Sequence, residues 1–339
     1  MKPAAATRSG SSRSRATALL AGAAALGAAA LVVAARSRAA ERRHPPAGRF
    51  VTVEGVRLRY KEFGRGSPVV LIHGNGSLIE EIEASGLVER LAPAHRVILF
   101  DRPGFGYSER PRGRLWTPRA QARLIARALD WLQADAAILY GHSLGAQVAA
   151  EIALMTPSRV RALVLGAGYV YPTPRPDVPA FVPLAVPGIG DVLRHTITPL
   201  VMAPLMRRIY AKLFALAPVP ERFRRDVPHG LVLRPGHLRA TAADTAFLIP
   251  CAGRLAAKYA ELTMPVTIVA GTDDEVVFFD SHARRLHGAL PGSRLIGVPG
   301  AGHMIHHSAL DEVAWAIESA AAPARGAAPS RAAAPHQAR

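Results

Sequence analysis

Six short, largely apolar runs, each about the length of one strand, constrain this chain more than any other feature. They lie at 68–72, 96–100, 136–140, 160–165, 265–270 and 294–298. A strand with one face in water alternates polar and apolar residues. A run that is apolar at nearly every position leaves no solvent face, as in a strand covered on both sides within a parallel sheet. Helical patterns stand between several of the runs. Thr117-Pro118 opens one that extends to about Gln133, with Leu124, Ala128, Leu129 and Leu132 on one stripe. Another follows Ser143 and ends near Thr156, before Pro157. Strands alternating with helices predict an α/β fold, a mostly parallel sheet flanked by helices. Ahead of the first run, residues 50–53 and 56–60 alternate around Glu54-Gly55 and read as a hairpin.

The alternation stops between 171 and 260. This stretch is rich in Pro, Arg, Leu and Ala and carries no clear buried strand. Some ninety residues are too many for a loop in a compact domain, so an inserted helical cap is expected at 171–260. The core then occupies 49–170 and 261–320. The Ala/Pro/Arg-rich residues 321–339 read as a disordered tail.

Gly141-His142-Ser143-Leu144-Gly145 joins the run at 136–140 to the helix that follows. A serine on a tight strand-to-helix turn is exposed at the sheet's edge, and its neighbours must be small. The helix start behind it favours developing negative charge. A serine hydroxyl needs a base. Among 13 histidines, His303 stands in the glycine-flanked Gly300-Ala301-Gly302-His303, just after the last run, with His306 and His307 as rivals. The base in turn needs a carboxylate to fix its tautomer. Gly271-Thr272-Asp273-Asp274-Glu275 follows the run at 265–270, with Asp274 the expected partner and Asp273 the alternative. The loop His73-Gly74-Asn75-Gly76 can aim a backbone N–H at a reacting carbonyl oxygen, together with the N–H of Leu144.

These segments, with Asp101-Arg102-Pro103-Gly104-Phe105-Gly106-Tyr107-Ser108, occur in the order seen in the α/β-hydrolase superfamily. The resemblance covers roughly 50–318 with a divergent middle. It extends to the branch that includes haloalkane dehalogenases, epoxide hydrolases, cofactor-free haloperoxidases and small-ester or lactone hydrolases. It implies an α/β-hydrolase sheet with an inserted helical cap. It also implies the acid three residues after the strand-end glycine, Asp274, and an oxyanion N–H from the residue after His-Gly, Asn75. The segment 101–108 is a conformational signature without assigned chemistry. Dehalogenases and epoxide hydrolases of this type use an aspartate nucleophile. Ser143 in that position argues instead for acyl transfer to serine.

The expected function is therefore hydrolysis of a small-molecule ester, lactone or similar carbonyl compound by Ser143, His303 and Asp274, with Asn75 and Leu144 forming the oxyanion hole. No cofactor or metal is required. C–C bond hydrolysis or perhydrolysis by the same triad, and ligand binding on a catalytically silent hydrolase fold, are the alternatives. Phe181, Leu184, Val186, Met202, Leu205, Met206, Phe214 and Phe247 in the cap suggest a mostly apolar substrate, although most of them are expected simply to pack the cap against the core.

The N-terminal 48 residues differ in kind. Residues 16–35 carry no charge and would span about 30 Å as a helix, close to the hydrocarbon thickness of a bilayer. Basic residues flank them on both sides. A single membrane anchor is expected, with a cleaved signal peptide as the alternative, and residues 36–48 read as a linker. The net charge of +17 does not point to nucleic acid. Residues 1–49 hold nine Lys/Arg against one acid, and 321–339 hold three Arg, so most of the charge lies at the ends, as expected for membrane flanks. No nucleic-acid motif accompanies it. With one cysteine, Cys251, no intramolecular disulfide can form.

Overall fold

The computed structural model describes residues 9–215 and 217–321, so the expected tail, apart from Ala321, lies outside the described residues. The chain starts with a long helix, α1 (Ser9–Arg43), and the hairpin β1 (Arg49–Val53) and β2 (Val56–Phe63). There follow β3 (Ser67–Ile72), α2 (Ile79–Ala84), α3 (Leu87–Leu91), β4 (His95–Phe100), α4 (Pro118–Trp131), β5 (Ala137–His142), α5 (Leu144–Met155) and β6 (Val160–Gly166). A helical segment comes next: α6 (Val178–Phe181), α7 (Ile189–His195), α8 (Ile197–Phe214), α9 (Glu221–Asp226), α10 (His229–Val232) and α11 (Pro235–Ala256). The chain returns to the sheet with β7 (Val266–Gly271), α12 (Arg285–Ala289), β8 (Arg294–Val298), α13 (Ile305–Ser308) and α14 (Leu310–Ala321).

The eight strands form one sheet in the order β1-β2-β4-β3-β5-β6-β7-β8. β2 is antiparallel to both β1 and β4, and every pairing from β4 to β8 is parallel. The pleat sends alternate residues to opposite faces. On β3, Val70 and Ile72 enter the core beneath α4 and α5, while Val69 and Leu71 enter the core beneath α3 and α14. All four are fully buried, which is why this run has no polar position. β8 departs from that pattern. It pairs only with β7, and Arg294 and Gly297 face solvent, as an edge strand allows.

At the N-terminus the helix runs on through residues 36–43, which the sequence reading places in a linker. The physical reason lies in local composition and contact. No proline occurs from Ser9 to His44; the first after the helix begins are Pro45-Pro46, and the residue ahead of a proline is driven out of the helical region. Ala40 is buried on the fold, and Glu41 pairs with Arg234 at 2.9 Å.

The parallel sheet and α5 meet at a glycine. A Cβ on Gly145 would stand 2.3 Å from the Ile72 carbonyl oxygen and 2.7 Å from that of His73, both main-chain atoms of β3 and its loop. Gly145→Ala is therefore expected to force α5 off β3 and to lower stability by about 1–3 kcal/mol, as overpacking does. Urea unfolding followed by circular dichroism would measure it; an unchanged midpoint would contradict this close approach.

Candidate active site

The turn from β5 to α5 carries Ser143 at φ 54° and ψ −117°, positive-φ territory that non-glycine residues rarely occupy. Its surroundings hold it there. Ser143 N–H donates to the Gly166 carbonyl at 3.0 Å, and the Ser143 carbonyl accepts from Ala146 and Tyr169 N–H groups. Gly141 must lack a side chain, since a Cβ would stand 2.4 Å from the Gly145 carbonyl oxygen. The result lifts the Ser143 hydroxyl off the sheet at the start of α5.

Two loops bring partners to that hydroxyl. His303, between β8 and α13, sets its Nε2 3.0 Å from Ser143 Oγ. Asp274, after β7, sets its Oδ2 2.8 Å from His303 Nδ1. The other oxygen of Asp274 accepts N–H bonds from Val276 and Val277, at 2.7 and 2.8 Å. With both oxygens occupied, Asp274 has one orientation, and its acceptor towards His303 places the imidazole proton on Nδ1. That leaves the Nε2 lone pair towards Ser143. Asp273, the alternative acid, instead lies at the surface and ties Thr272 Oγ1 to the Gly300 N–H. His306 and His307, the rival bases, turn away from Ser143 to Glu81.

The His73–Gly76 loop lies directly against the serine. A Cβ on Gly74 would stand 3.2 Å from Ser143 Cβ and 3.0 Å from His142 Nδ1. Asn75 follows; its side-chain amide donates to Thr245 Oγ1 and to the Thr241 carbonyl on α11. Leu144, the first residue of α5, carries one of the N–H groups that a helix start leaves without an intrahelical partner.

Sequence reasoning gave the segment 101–108 no chemistry, and the structure gives it a mechanical task. The buried Arg102 guanidinium donates to the carbonyls of His73 and Gly74, at 2.9 and 2.8 Å, and to Asp244 on α11 at 2.6 Å. Arg110 and Gln121 complete the ring around Asp244. One arginine thus fixes the serine-facing loop to the helical segment above it. Asp101 accepts from the Ile79 and Tyr107 N–H groups, and a Cβ on Gly106 would collide with its carboxylate. Gly106 is room for that acid, and Gly104 is room for Arg110 and Ala240.

A second network, missed in the sequence, lies under the histidine loop. Buried His142 is held neutral: burial, reinforced by the His306 and His303 rings, pushes its pKa well below the ordinary histidine value. Its Nε2 proton goes to the His303 carbonyl at 2.9 Å, and its buried Nδ1 is left without a partner. Nearby Glu81 accepts from His306, His307 and Ser77, at 2.6, 2.8 and 2.7 Å. Burial alone would raise the Glu81 pKa; attraction and hydrogen bonds from His306, with those from His307, outweigh it and hold the carboxyl well below its usual range. Glu81, His142 and His306 bring three groups of metal-ligand type within 4.8 Å of one another. The His-Gly-rich spacing at 300–307 carried the only signal of this cluster; Glu81, more than 200 residues away, carried none.

Several cap residues lie elsewhere than a substrate lining. Phe214 is buried against Phe223 and His307, whereas Val186 and Leu205 face solvent. The end of α8 instead braces the histidine loop: the Leu213 carbonyl accepts from His303 N–H at 2.9 Å and from Met304 N–H at 3.2 Å.

A family model described as alpha/beta hydrolase fold matches residues 67–310. The 2-hydroxymuconate semialdehyde hydrolase of a Pseudomonas species is 36% identical over 136 residues, 39% of this chain and about half, 48%, of that protein. An uncharacterized protein of Mycobacterium tuberculosis is 30% identical over 275 residues, 78% of this chain and 77% of its own length. Among solved structures, a thermophilic esterase from Thermogutta terrifontis superposes with a TM-score of 0.63 at 20% identity, over 80% of this chain and 96% of that one.

Glu81 supplies a test of the buried network. Its carboxyl titrates lower in the folded than in the unfolded chain, so its contribution is fully present above about pH 4.5 and is lost as pH falls through the folded value. The stability gap between the native chain and Glu81→Gln is expected to hold steady from neutral pH to about pH 5.5 and to shrink below about 4.5. A gap in urea midpoints that stays constant down to about pH 3 would contradict an ionised, histidine-bound Glu81.

Proposed function

The chain belongs to the α/β-hydrolase fold family, and on that premise we propose that it is a serine hydrolase acting on an ester, lactone or related carbonyl compound. The observation that carries this reading is the continuous chain of hydrogen bonds from Ser143 Oγ through His303 to Asp274, at 3.0 and 2.8 Å. His303 Nε2 takes the proton of Ser143 as Oγ attacks the carbonyl carbon. The imidazolium that forms is stabilised by Asp274. The carbonyl oxygen, now negative, is held by the N–H groups of Asn75 and Leu144; one such donor is worth about 100- to 1000-fold in rate. Collapse breaks the bond to the leaving group, which takes the proton from His303. Water then gives a proton to His303 as it attacks the acyl-serine; the acyl–Oγ bond breaks, Ser143 Oγ takes that proton back from His303, and the acid is released.

The relative that is named as a semialdehyde hydrolase favours a second reading, in which the same three side chains break a C–C bond beside a carbonyl. In either reading α1 serves as a membrane anchor, with cleavage as a signal sequence the alternative. Its residues 14–43 form one helix, long and apolar enough to cross a bilayer, and residues 14–28 of it are exposed.

Steady-state hydrolysis of p-nitrophenyl esters of increasing chain length tests the proposal. Ser143→Ala is expected to lower kcat by about a million-fold, and Asp274→Asn by about ten-thousand-fold through loss of the correct tautomer, with little change in KM. No ester turnover, alongside Ser143-dependent consumption of 2-hydroxymuconate semialdehyde, would favour the C–C reading over the ester one.

A further inference from the structure

Where α1 meets the rest of the fold, one surface collects features that hydrolysis leaves unused. Of 16 large hydrophobic side chains exposed among the described residues, five lie on α1 and seven between Val182 and Leu205. On α8, Ile197, Val201 and Leu205 recur every four residues and so share one face. They are 45%, 53% and 37% exposed. Ile189 and Val192 are exposed on α7, which packs against α8. Scattered exposed apolar residues are ordinary on a soluble surface, whereas a contiguous band marks a place of contact.

The anchor helix says what covers this band. The C-terminal part of α1 is docked on the fold: Val33 and Ala40 are buried, Ala40 closes on Gly230 of α10, and Glu41 pairs with Arg234. Residues 14–32, by contrast, stand largely clear of it. That free stretch is about 28 Å of helix, close to the roughly 30 Å of bilayer hydrocarbon. With those residues in lipid, the hydrocarbon ends near Val33. α8, whose Pro199 and Ala203 line a pocket with Val33, and α7, which packs against both α1 and α8, then stand at the level of the headgroups.

The same junction holds a pocket of about 290 Å³, whose walls include Arg36, Ser37, Arg43 and His44 from α1 and its end, and Pro199 and Ala203 from α8. The ion pairs of this region are Glu41–Arg234, Asp191–Arg194 and Asp191–Arg112. Among the described residues, Arg36 and Arg43 enter none, and neither do Arg207 and Arg208 farther along α8. Unpaired cations and a hydroxyl on one wall, with small apolar side chains on the other, match the phosphodiester of a phospholipid whose acyl chains run beside α1. Resting on the reading of α1 as a membrane helix, we propose that the α7–α8 face and the Arg36–Arg43 pocket form a docking surface for a leaflet containing anionic phospholipid.

The test uses the full chain in a Cys251→Ala background, with Val201→Cys or Ile189→Cys carrying an environment-sensitive dye and Trp315→Cys on α14 as reference. Vesicles of phosphatidylcholine, with or without phosphatidylglycerol, contain a spin-labelled lipid as quencher. Resistance to carbonate extraction reads the insertion of α1 separately. Quenching at 201 and 189 several-fold above that at 315, stronger with phosphatidylglycerol and weakened by Arg36→Gln with Arg43→Gln, is the expected result. Quenching at 201 and 189 no greater than at 315 would overturn the docking face, and with carbonate resistance intact it would leave the anchor standing. Carbonate sensitivity with quenching retained would remove the anchor and support the face alone. Indifference to both phosphatidylglycerol and the arginine pair would overturn the assignment of the pocket to lipid phosphate.

Discussion

The backbone of Ser143 sits at a φ of 54°, a conformation that costs an L-residue about 1–3 kcal/mol and persists only where its surroundings over-determine it. Those surroundings are the sheet itself. Gly141 and Gly145 approach main-chain atoms so closely that no side chain fits, and β6 and the segment after it take the serine's own N–H and carbonyl. The strain is thus borne by the whole β3-β5-β6 centre of the fold, and it presents the hydroxyl free of the sheet with a helix start behind it.

Around this turn three loops from distant parts of the chain are held by separate clamps. Two backbone N–H groups set the orientation of Asp274. His142 and the Leu213 carbonyl grip the main chain of the histidine loop from either side. Arg102 grips the carbonyls before Asn75 and anchors them to Asp244 on α11. One clamp lies within a loop and the others tie loops to the core or to the helical segment, so the side chains gathered at Ser143 are positioned by groups outside the Ser143–His303–Asp274 chain of hydrogen bonds. Buried hydrogen-bond and ion-pair networks of this kind hold one geometry more than they add net stability.

Much of this was legible in the sequence, because the signals were local. Apolar runs such as 69–72 record burial on both faces, and Gly141–Gly145 records a turn without room for side chains. Asp274 against Asp273 was not decided by spacing, since both follow the same strand; what separates them is that Asp274 faces inward between Val277 and His303 while Asp273 closes a surface turn. Arg102, His142 and Glu81 were silent for a different reason. Their defining partners lie far along the chain, Asp244 142 residues from Arg102, His303 161 from His142 and His307 226 from Glu81, and nothing in the local pattern marks such contacts. The cap was legible as helical by its length but not by the direction of its side chains, so Phe214 and Leu205 lie elsewhere than a substrate lining. The helix through 36–43 was masked by its charge, which reads as a linker until Ala40 and Glu41 are seen to dock.

The most direct measurement is the intact mass of the full chain after exposure to a fluorophosphonate, with the Ser143→Ala chain treated in parallel. The account predicts a single adduct on the native chain, located at Ser143 by peptide mapping, and none on the variant. A folded native chain that takes no adduct, or takes it equally well without Ser143, would contradict an activated serine at this turn and point to a ligand-binding protein on a hydrolase fold.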